Sequence, residues 1–467
     1  MRAPGYARRT TGHAESRAVS GGPGYRATAL EPAITRKMLL FFIVGDILGG
    51  GIYALVGEVG DKVGGAFWTG FAVAGVVAAF TAASYAELVS KYPLAGGAAV
   101  FVHRAFKAPL LTFMIAFGVM CSGLASAATP ATAFGGDYLS EFVDLPSVLV
   151  GLVVIAVLSL INFRGIKESV SFNLGCTVVE LTGLVLVAVI GLAFLFDGGG
   201  DAGRAFEFKE GDAPLLLVIS GASLAFYALI GFEDSVNVAE ETRAAPQAFP
   251  GTLFLGLGIA GDVPSGHRDR LDGGSIDRLA GSDGPLLEVV RQGPLAMDTK
   301  VFSAIALFAL VNGALINMVM ASRLTYGMAQ QGVILRWFGS VHRGRRTPWA
   351  GVLLAGALAA VLVVIGDLET LADTTVLLLL LAFVAVHLSV LVLRRTPVDH
   401  EHFRAWTAFP VLGALSCVAL IVQKLVEDAV VFAYAGGLLA VGLVLWLIAR
   451  AFTGPAEEID PAALGEG

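Results

Sequence analysis

Long apolar runs, each close to the length of a bilayer crossing, alternate with short polar connections over most of this chain. A spanning helix needs about 20 apolar residues for a hydrocarbon core of roughly 30 Å. Such runs lie near residues 37–57, 66–90, 109–136, 146–163, 169–196, 213–239, 249–261, 299–322, 348–366, 371–393, 406–424 and 429–450. They predict an all-α integral membrane protein with twelve transmembrane helices, the seventh too short to be regular. Residues 1–35 and 451–467 lack the pattern and read as cytoplasmic tails, the first of them disordered. No apolar stretch with a cleavage site follows the charged start, so the first tail does not read as a signal peptide.

Two runs are interrupted at their middles. "VGDILGGGIYALVG" (Val44–Gly57) sets Gly49, Gly50 and Gly51 in a row where a spanning helix should be most regular. Glycine costs a helix about 1 kcal/mol relative to alanine. Either the glycines let a neighbouring helix pack closely, or the helix is broken and the freed amides of its second half face an anion. The sixth run, "SLAFYALIGFEDSVNVAEE" (Ser223–Glu241), carries Gly231 beside Phe232, Glu233 and Asp234, a poor sequence for an unbroken lipid-facing helix. Spans one and six are equivalent if a five-helix unit is repeated in inverted orientation. Paired interruptions of that kind point to a transporter's binding site, which favours the broken-helix reading. A zwitterion needs donors at one end and acceptors at the other, and two broken helices supply both from backbone. The nearly neutral set of candidate positions favours neutral amino acids over strongly charged ones.

Charge placement sets the orientation. With the N-terminus in the cytoplasm, the cytoplasmic connections hold Lys91, Arg104, Lys107, Arg164, Lys167, Arg243, Arg336, Arg343, Arg345, Arg346, Arg394, Arg395 and Arg404. Outer connections carry Asp137, Glu141, Asp144, Asp367, Glu369 and Asp373 instead, the positive-inside pattern. Only 15% of the residues are charged and 56% are hydrophobic, against roughly 25% charged in soluble domains. The net charge of −7 comes with no clustered basic face, which argues against nucleic-acid binding. Cys121, Cys176 and Cys417 lie far apart inside apolar runs and read as small buried hydrophobes, without disulfide or metal-ligand spacing. No cofactor or metal is expected. The spans hold no His/Glu metal motif or Ser/His constellation, so the chain does not read as an enzyme.

"GDILGGGIYALVG" resembles the first-helix motif of the amino acid–polyamine–organocation (APC) family, with its Gly-x-Gly-Ile core. "YAELVSKYPLAGGAAVFVHRAF" (Tyr85–Phe106), "NFRGIKES" (Asn162–Ser169), "FYALIGFEDSVNVAEE" and "SRLTYGMAQQG" (Ser322–Gly332) are similar to further signatures of that family, in order. The resemblance implies a LeuT-like 5+5 inverted repeat, with residues 36–196 and 213–393 as the two five-helix units and 406–450 as two additional helices. It implies uptake or exchange of an amino acid or related amine by alternating access across the cytoplasmic membrane. Carried over by position, amides around Gly49, Gly50, Gly51 and Ile52 would hold the substrate carboxylate. Carbonyls around Phe226, Tyr227, Ala228 and Ile230 would hold its ammonium, Tyr227 would gate the site, and Asn317 would lie near the side-chain pocket. Ile334-Leu335 stands where relatives often have a proline.

Ionisable groups inside spans are functional suspects. Glu180, in "GCTVVELTGLVLV", has no basic residue nearby in sequence. It reads as a structural hydrogen-bonding group, a proton carrier or a Na⁺ ligand, and proton coupling is the expected mode. In some proton-coupled relatives a lysine occupies the matching position, so that mechanism does not transfer. Glu233 reads as a proton-sensitive acid or a helix-end contact, and Asp46 as a polar contact or a coupling group. Glu240 and Glu241 are expected to be solvated or paired with Arg243.

The seventh run departs from the pattern. Phe249–Gly261 would make only about 20 Å of helix, and "DVPSGHRDRLDGGS" (Asp262–Ser275) is too polar to finish it. A failed span would turn the arginines at 336–346 outward. A compensated frameshift explains the segment, since reading one base on gives an apolar, β-branched stretch; an unusual outer loop is the other explanation. The sequence therefore reads as a secondary active transporter whose partners are an amino acid or amine, a proton or Na⁺, and the lipid bilayer. A transport-inactive membrane sensor or assembly subunit is the alternative.

Overall fold

The computed structural model describes residues 32–49, 51–196, 203, 206–211, 213–265, 285–292, 297–330, 334–365, 368–427 and 429–453. In chain order its helices are α1 (Arg36–Leu48), α2 (Gly51–Val63), α3 (Trp68–Lys91), α4 (Gly97–Phe106), α5 (Pro109–Ala133), α6 (Asp137–Ser140), α7 (Ser147–Arg164), α8 (Ile166–Phe196) and α9 (Pro214–Tyr227). After a 3-10 helix, Asp234–Glu241, come α10 (Ala245–Ser265), α11 (Pro285–Gln292), α12 (Thr299–Gln330), α13 (Trp349–Ile365), α14 (Leu368–Leu393), α15 (Ala408–Glu427) and α16 (Ala429–Thr453). The helix ends follow local chemistry. The Thr35 hydroxyl accepts the Met38 N–H at 3.4 Å to cap α1. Pro109 and Pro214 open α5 and α9, positions where a missing N–H leaves no bond unmade.

Among the described residues, eight helices are long and apolar enough to cross a membrane, or nine if the bent pair α1–α2 is one span. The expected sixth span is α9 followed by the 3-10 helix. The expected ninth is the shorter α13. The expected seventh is longer than its apolar run: α10 extends 21 residues, from Ala245 through Asp262 to Ser265, about 31 Å at 1.5 Å per residue. Most of the polar segment after it, residues 266–284, lies outside the described residues.

Burial separates a centre from a rim. In α12 and α14, 72% of the apolar stretch is buried, against 28% in α15 and 17% in α16. Exposed Leu415, Val418, Val422, Val441, Val444 and Leu447 on the last two helices would be a liability in water and cost nothing in lipid. α12 packs against α1, α5 and α8. At one end of the bundle Arg394 makes a two-pronged bond to Glu87, at 2.6 and 2.7 Å, tying α14 to α3.

Candidate functional site at two facing helix breaks

The first break is at the glycine triplet. α1 stops at Leu48, and the Gly49 N–H still donates to Gly45 O at 3.1 Å. Gly49 then leaves the helix, with φ −47° and ψ −176°, and α2 begins at Gly51. A separate 57° bend follows after the triplet, between Arg36–Tyr53 and Val56–Val63. Gly50 lies outside the described residues. The first N–H groups of a helix have no intrahelical partner, so Gly51 and Ile52 offer amides at this point.

A helix end and close packing coincide at the glycines. A Cβ on Gly49 would lie 3.0 Å from Gly313 Cα on α12, and one on Gly51 would lie 3.0 Å from Ala228 Cα. The glycines break the helix and also admit the neighbours that face the break.

The second break follows α9. The Ala228 N–H donates to Ala225 O at 3.1 Å, and those of Leu229 and Ile230 both donate to Phe226 O, at 3.0 and 3.1 Å. Gly231 has φ +121°, which a side chain would strain. Its N–H donates to Glu233 Oε2 at 2.8 Å. Among the described residues, no hydrogen bond reaches the carbonyls of Tyr227, Ala228, Leu229 or Ile230. Phe226 O, expected to face substrate, is thus engaged twice, while Leu229 O, which the sequence did not single out, is open. Glu233, read from the sequence as a proton-sensitive acid or a helix-end contact, sets its carboxylate against the backbone of this turn.

The two breaks touch. Gly51 lies against Ala228 and Tyr227, and a Cβ on Gly231 would sit 3.0 Å from both the carbonyl and the carboxyl carbon of Asp46. Asp46 is 7% exposed, and neither of its carboxylate oxygens has a hydrogen-bond partner. One face of the junction therefore offers amides, the other offers carbonyls, and a carboxylate stands at the crossing.

Glu180 lies beside this junction rather than in it. Fully buried on α8, it accepts from Asn312 Nδ2 at 3.2 Å through Oε2, while Oε1 has no partner. The same Asn312 amide approaches Thr177 Oγ1 at 3.1 Å and Gly45 O at 3.4 Å. Asn173 Nδ2 donates to Asn312 Oδ1 at 2.8 Å. The Tyr53 hydroxyl donates to Glu180 O at 3.0 Å, and that of Tyr138 to Tyr53 O at 3.2 Å. A polar seam thus joins α1, α2, α8 and α12. The sequence pointed to Glu180 but not to Asn173 or Asn312, whose signal is an amide side chain inside an apolar run. Asn317, one turn beyond Gly313, donates to Gly313 O at 3.0 Å within its own helix.

The segment before α1 meets the residues that follow the 3-10 helix. Ile34 pairs with Thr242 in a short parallel bridge. Glu241 does not pair with Arg243, as its nearness in sequence suggested. It bonds Arg323 on α12 at 3.1 Å, both side chains fully buried. Arg323 also donates to Asn162 Oδ1 at 2.6 Å. Arg243 Nε donates to Pro32 O at 3.0 Å, and Glu240 accepts the Ala95 N–H at 3.0 Å.

The family model described as "Amino acid permease" matches residues 34–263 and 277–448. The chain belongs to the amino acid permease family. The match breaks off across the polar segment that interrupts the seventh run. The chain is 28% identical over 430 residues to the low-affinity putrescine importer PlaP of Escherichia coli K12, covering 88% of this chain and 92% of the relative. It is 28% identical over 379 residues to the vacuolar cationic amino acid transporter 4 of Arabidopsis thaliana, covering 76% and 62%. It is 23% identical over 425 residues to the branched-chain amino acid permease BcaP of Bacillus subtilis, covering 85% and 90%. Each of these is named for transport and none for an enzymatic reaction. Family and apolar helices together make this permease an integral membrane protein.

Proposed function

We propose that this permease is a secondary active transporter of an amino acid or related amine, working by alternating access in the cytoplasmic membrane with both termini in the cytoplasm. The observation that carries the reading is the contact between the two breaks, Gly51 against Ala228 and Gly231 against Asp46. Amides around Gly49, Gly50, Gly51 and Ile52 bind the cargo's anionic end where it has one. The open carbonyls of Tyr227, Ala228 and Ile230 bind its ammonium, and Asn317 lies toward the cargo's side chain. In this reading residues 36–196 and 213–393 are inverted five-helix repeats, α15 and α16 are additional, and the chain crosses the membrane twelve times.

Glu180 is the coupling group this reading favours, ahead of Asp46 and Glu233. One of its oxygens is unsatisfied and the other is held by Asn312, so adding a proton would weaken the link between α8 and α12. The relatives' names, for putrescine, cationic and branched-chain amino acid transport, agree with an amine-bearing cargo. Uptake of labelled amino acids and amines into proteoliposomes, with and without an inward proton gradient, tests the proposal. Gradient-dependent accumulation is the expected result. Binding without flux would make the protein a sensor, and gradient-independent exchange would remove Glu180's assigned role.

A further inference from the structure

The cations at one end of the bundle divide into two groups. Arg323, Arg394, Lys91 and Arg243 are committed to partners inside the chain: Glu241, Glu87, the carbonyls of Leu393 and Thr396, and Pro32 O. The arginines between α12 and α13 are not. Arg343, Arg345 and Arg346 are exposed, and among the described residues no hydrogen bond or ion pair holds their guanidiniums. The turn that carries them is nonetheless fixed. The His342 N–H donates to Thr347 O at 2.9 Å, and the Arg346 N–H donates back to His342 O at 2.8 Å. The buried Thr347 hydroxyl donates to Arg345 O at 3.2 Å.

This turn lies on the connection between α7 and α8. The Arg345 guanidinium stands 5.1 Å over the Phe163 ring, and the His342 ring meets the same ring edge-on at 5.9 Å. The α7–α8 connection adds exposed Arg164 and Lys167. Its carboxylate, Glu168, lies over Gly165, while residues 331–348 contain no acidic residue. Beside this corner the bundle presents hydrocarbon. Leu160, one turn before Arg164, and Leu353, one turn after Trp349, are both exposed. α7 and α13 pack on each other, with Ser159 against Gly356. Exposed Trp337 meets Trp349 edge-on at 5.5 Å. Tryptophan next to basic residues at the end of an apolar wall marks the plane of lipid headgroups.

Arginine keeps its charge throughout the physiological pH range and matches phosphate oxygens with its planar fork. We propose that this corner binds the phosphate headgroup of an anionic phospholipid, held by Arg343, Arg345 and Arg346, with the acyl chains along Leu160 and Leu353. In the orientation proposed above it faces the cytoplasmic leaflet, whose anionic lipids attract basic residues beside a span. Asn162, next to Phe163, accepts from Arg323 of the buried Arg323–Glu241 pair, so a lipid held here braces the end of α7 against α12. The inference depends on the chain's crossing a membrane and not on the cargo it carries.

The test is native mass spectrometry of the purified full chain with equimolar phosphatidylglycerol and phosphatidylcholine. Each basic residue beside an anionic lipid surface adds about fivefold in affinity, so Arg343→Gln/Arg345→Gln/Arg346→Gln should lower phosphatidylglycerol retention by about tenfold or more. Lys107→Gln/Arg395→Gln/Arg404→Gln removes the same charge from exposed positions at the same end and should keep retention near the wild-type level. Equal retention of the two lipids by wild type overturns the proposal, and so does an equal fall in the two triple variants. Phosphatidylglycerol should raise the wild-type melting temperature where glycerol phosphate at the same concentration does not; an equal rise from both overturns the assignment to lipid. If the first variant does not fold, phenylglyoxal modification of wild type in nanodiscs decides. Arg343, Arg345 and Arg346 should react more slowly in phosphatidylglycerol than in phosphatidylcholine, relative to Arg395 and Arg404, and an unchanged relative rate overturns the proposal.

Discussion

Replacing Gly231 with alanine probes the second break at its tightest point. The backbone there has φ +121°, and holding an ordinary residue in so sparsely populated a conformation costs about 1–3 kcal/mol. The added Cβ would also lie 3.0 Å from the carboxyl carbon and from the carbonyl carbon of Asp46. The second of these is backbone, so it cannot swing aside as a flexible side-chain tip would. The control is Gly436→Ala on α16, where a Cβ meets nothing within 4 Å. That change should be neutral or stabilise by up to about 1 kcal/mol through helix propensity. The two variants make the same chemical change inside one protein and should differ by about 1–4 kcal/mol in total. Denaturant titration in mixed micelles measures that difference, and proteoliposome uptake reports whether the junction still works. Gly231→Ala should be destabilised and should lose most uptake, while Gly436→Ala keeps both. Equal stability and equal uptake in the two variants would refute the account of the second break.

Other parts of the structure carry their own tests. Glu241→Gln leaves the Arg323 charge buried without its carboxylate, and removing one partner of such a pair costs about 3–5 kcal/mol. The double variant Glu241→Gln/Arg323→Met should recover much of that loss in the same titration. Glu180→Gln should abolish the response of uptake to a proton gradient while counterflow exchange continues, and a preserved response would exclude Glu180 as the coupling group. On the connection after α6, the Thr299 hydroxyl, at 2.7 Å, and then Arg291 hold the Glu141 carboxyl below its ordinary range. A depressed carboxyl contributes stability above its unfolded pKa and loses it as pH falls through the folded value. Acid melting curves should therefore show wild type losing more stability than Glu141→Gln between about pH 5 and 3.

The sequence made the spans legible because lipid imposes a length and a polarity on each crossing, independent of what packs beside it. The breaks were legible for a similar reason, since Gly49 to Gly51 and Gly231 weaken a helix wherever they stand. Partners were not legible. Glu241 has Arg243 two residues away, yet bonds Arg323, 82 positions on, because the turn after the 3-10 helix sends Arg243 toward Pro32. Asn312 and Glu180 are 132 positions apart, and no local periodicity encodes which faces of α8 and α12 meet. The neighbour of Asp46 was not legible either: in the sequence it is one polar residue along a span, and only the fold sets it against Gly231. The length of α10 was missed because a helix can continue through Asp262 once its earlier turns are packed.

The central claim is that the cargo lies where the two breaks meet. The most direct measurement is a cryo-EM structure determined with the amine or amino acid that the uptake panel selects. The account predicts ligand density bounded by the start of α2 on one side and residues 227–231 on the other, with an amine nitrogen within hydrogen-bonding distance of the open carbonyls after α9. Density bound elsewhere in the bundle, with the two breaks still packed against each other and empty between, would contradict it.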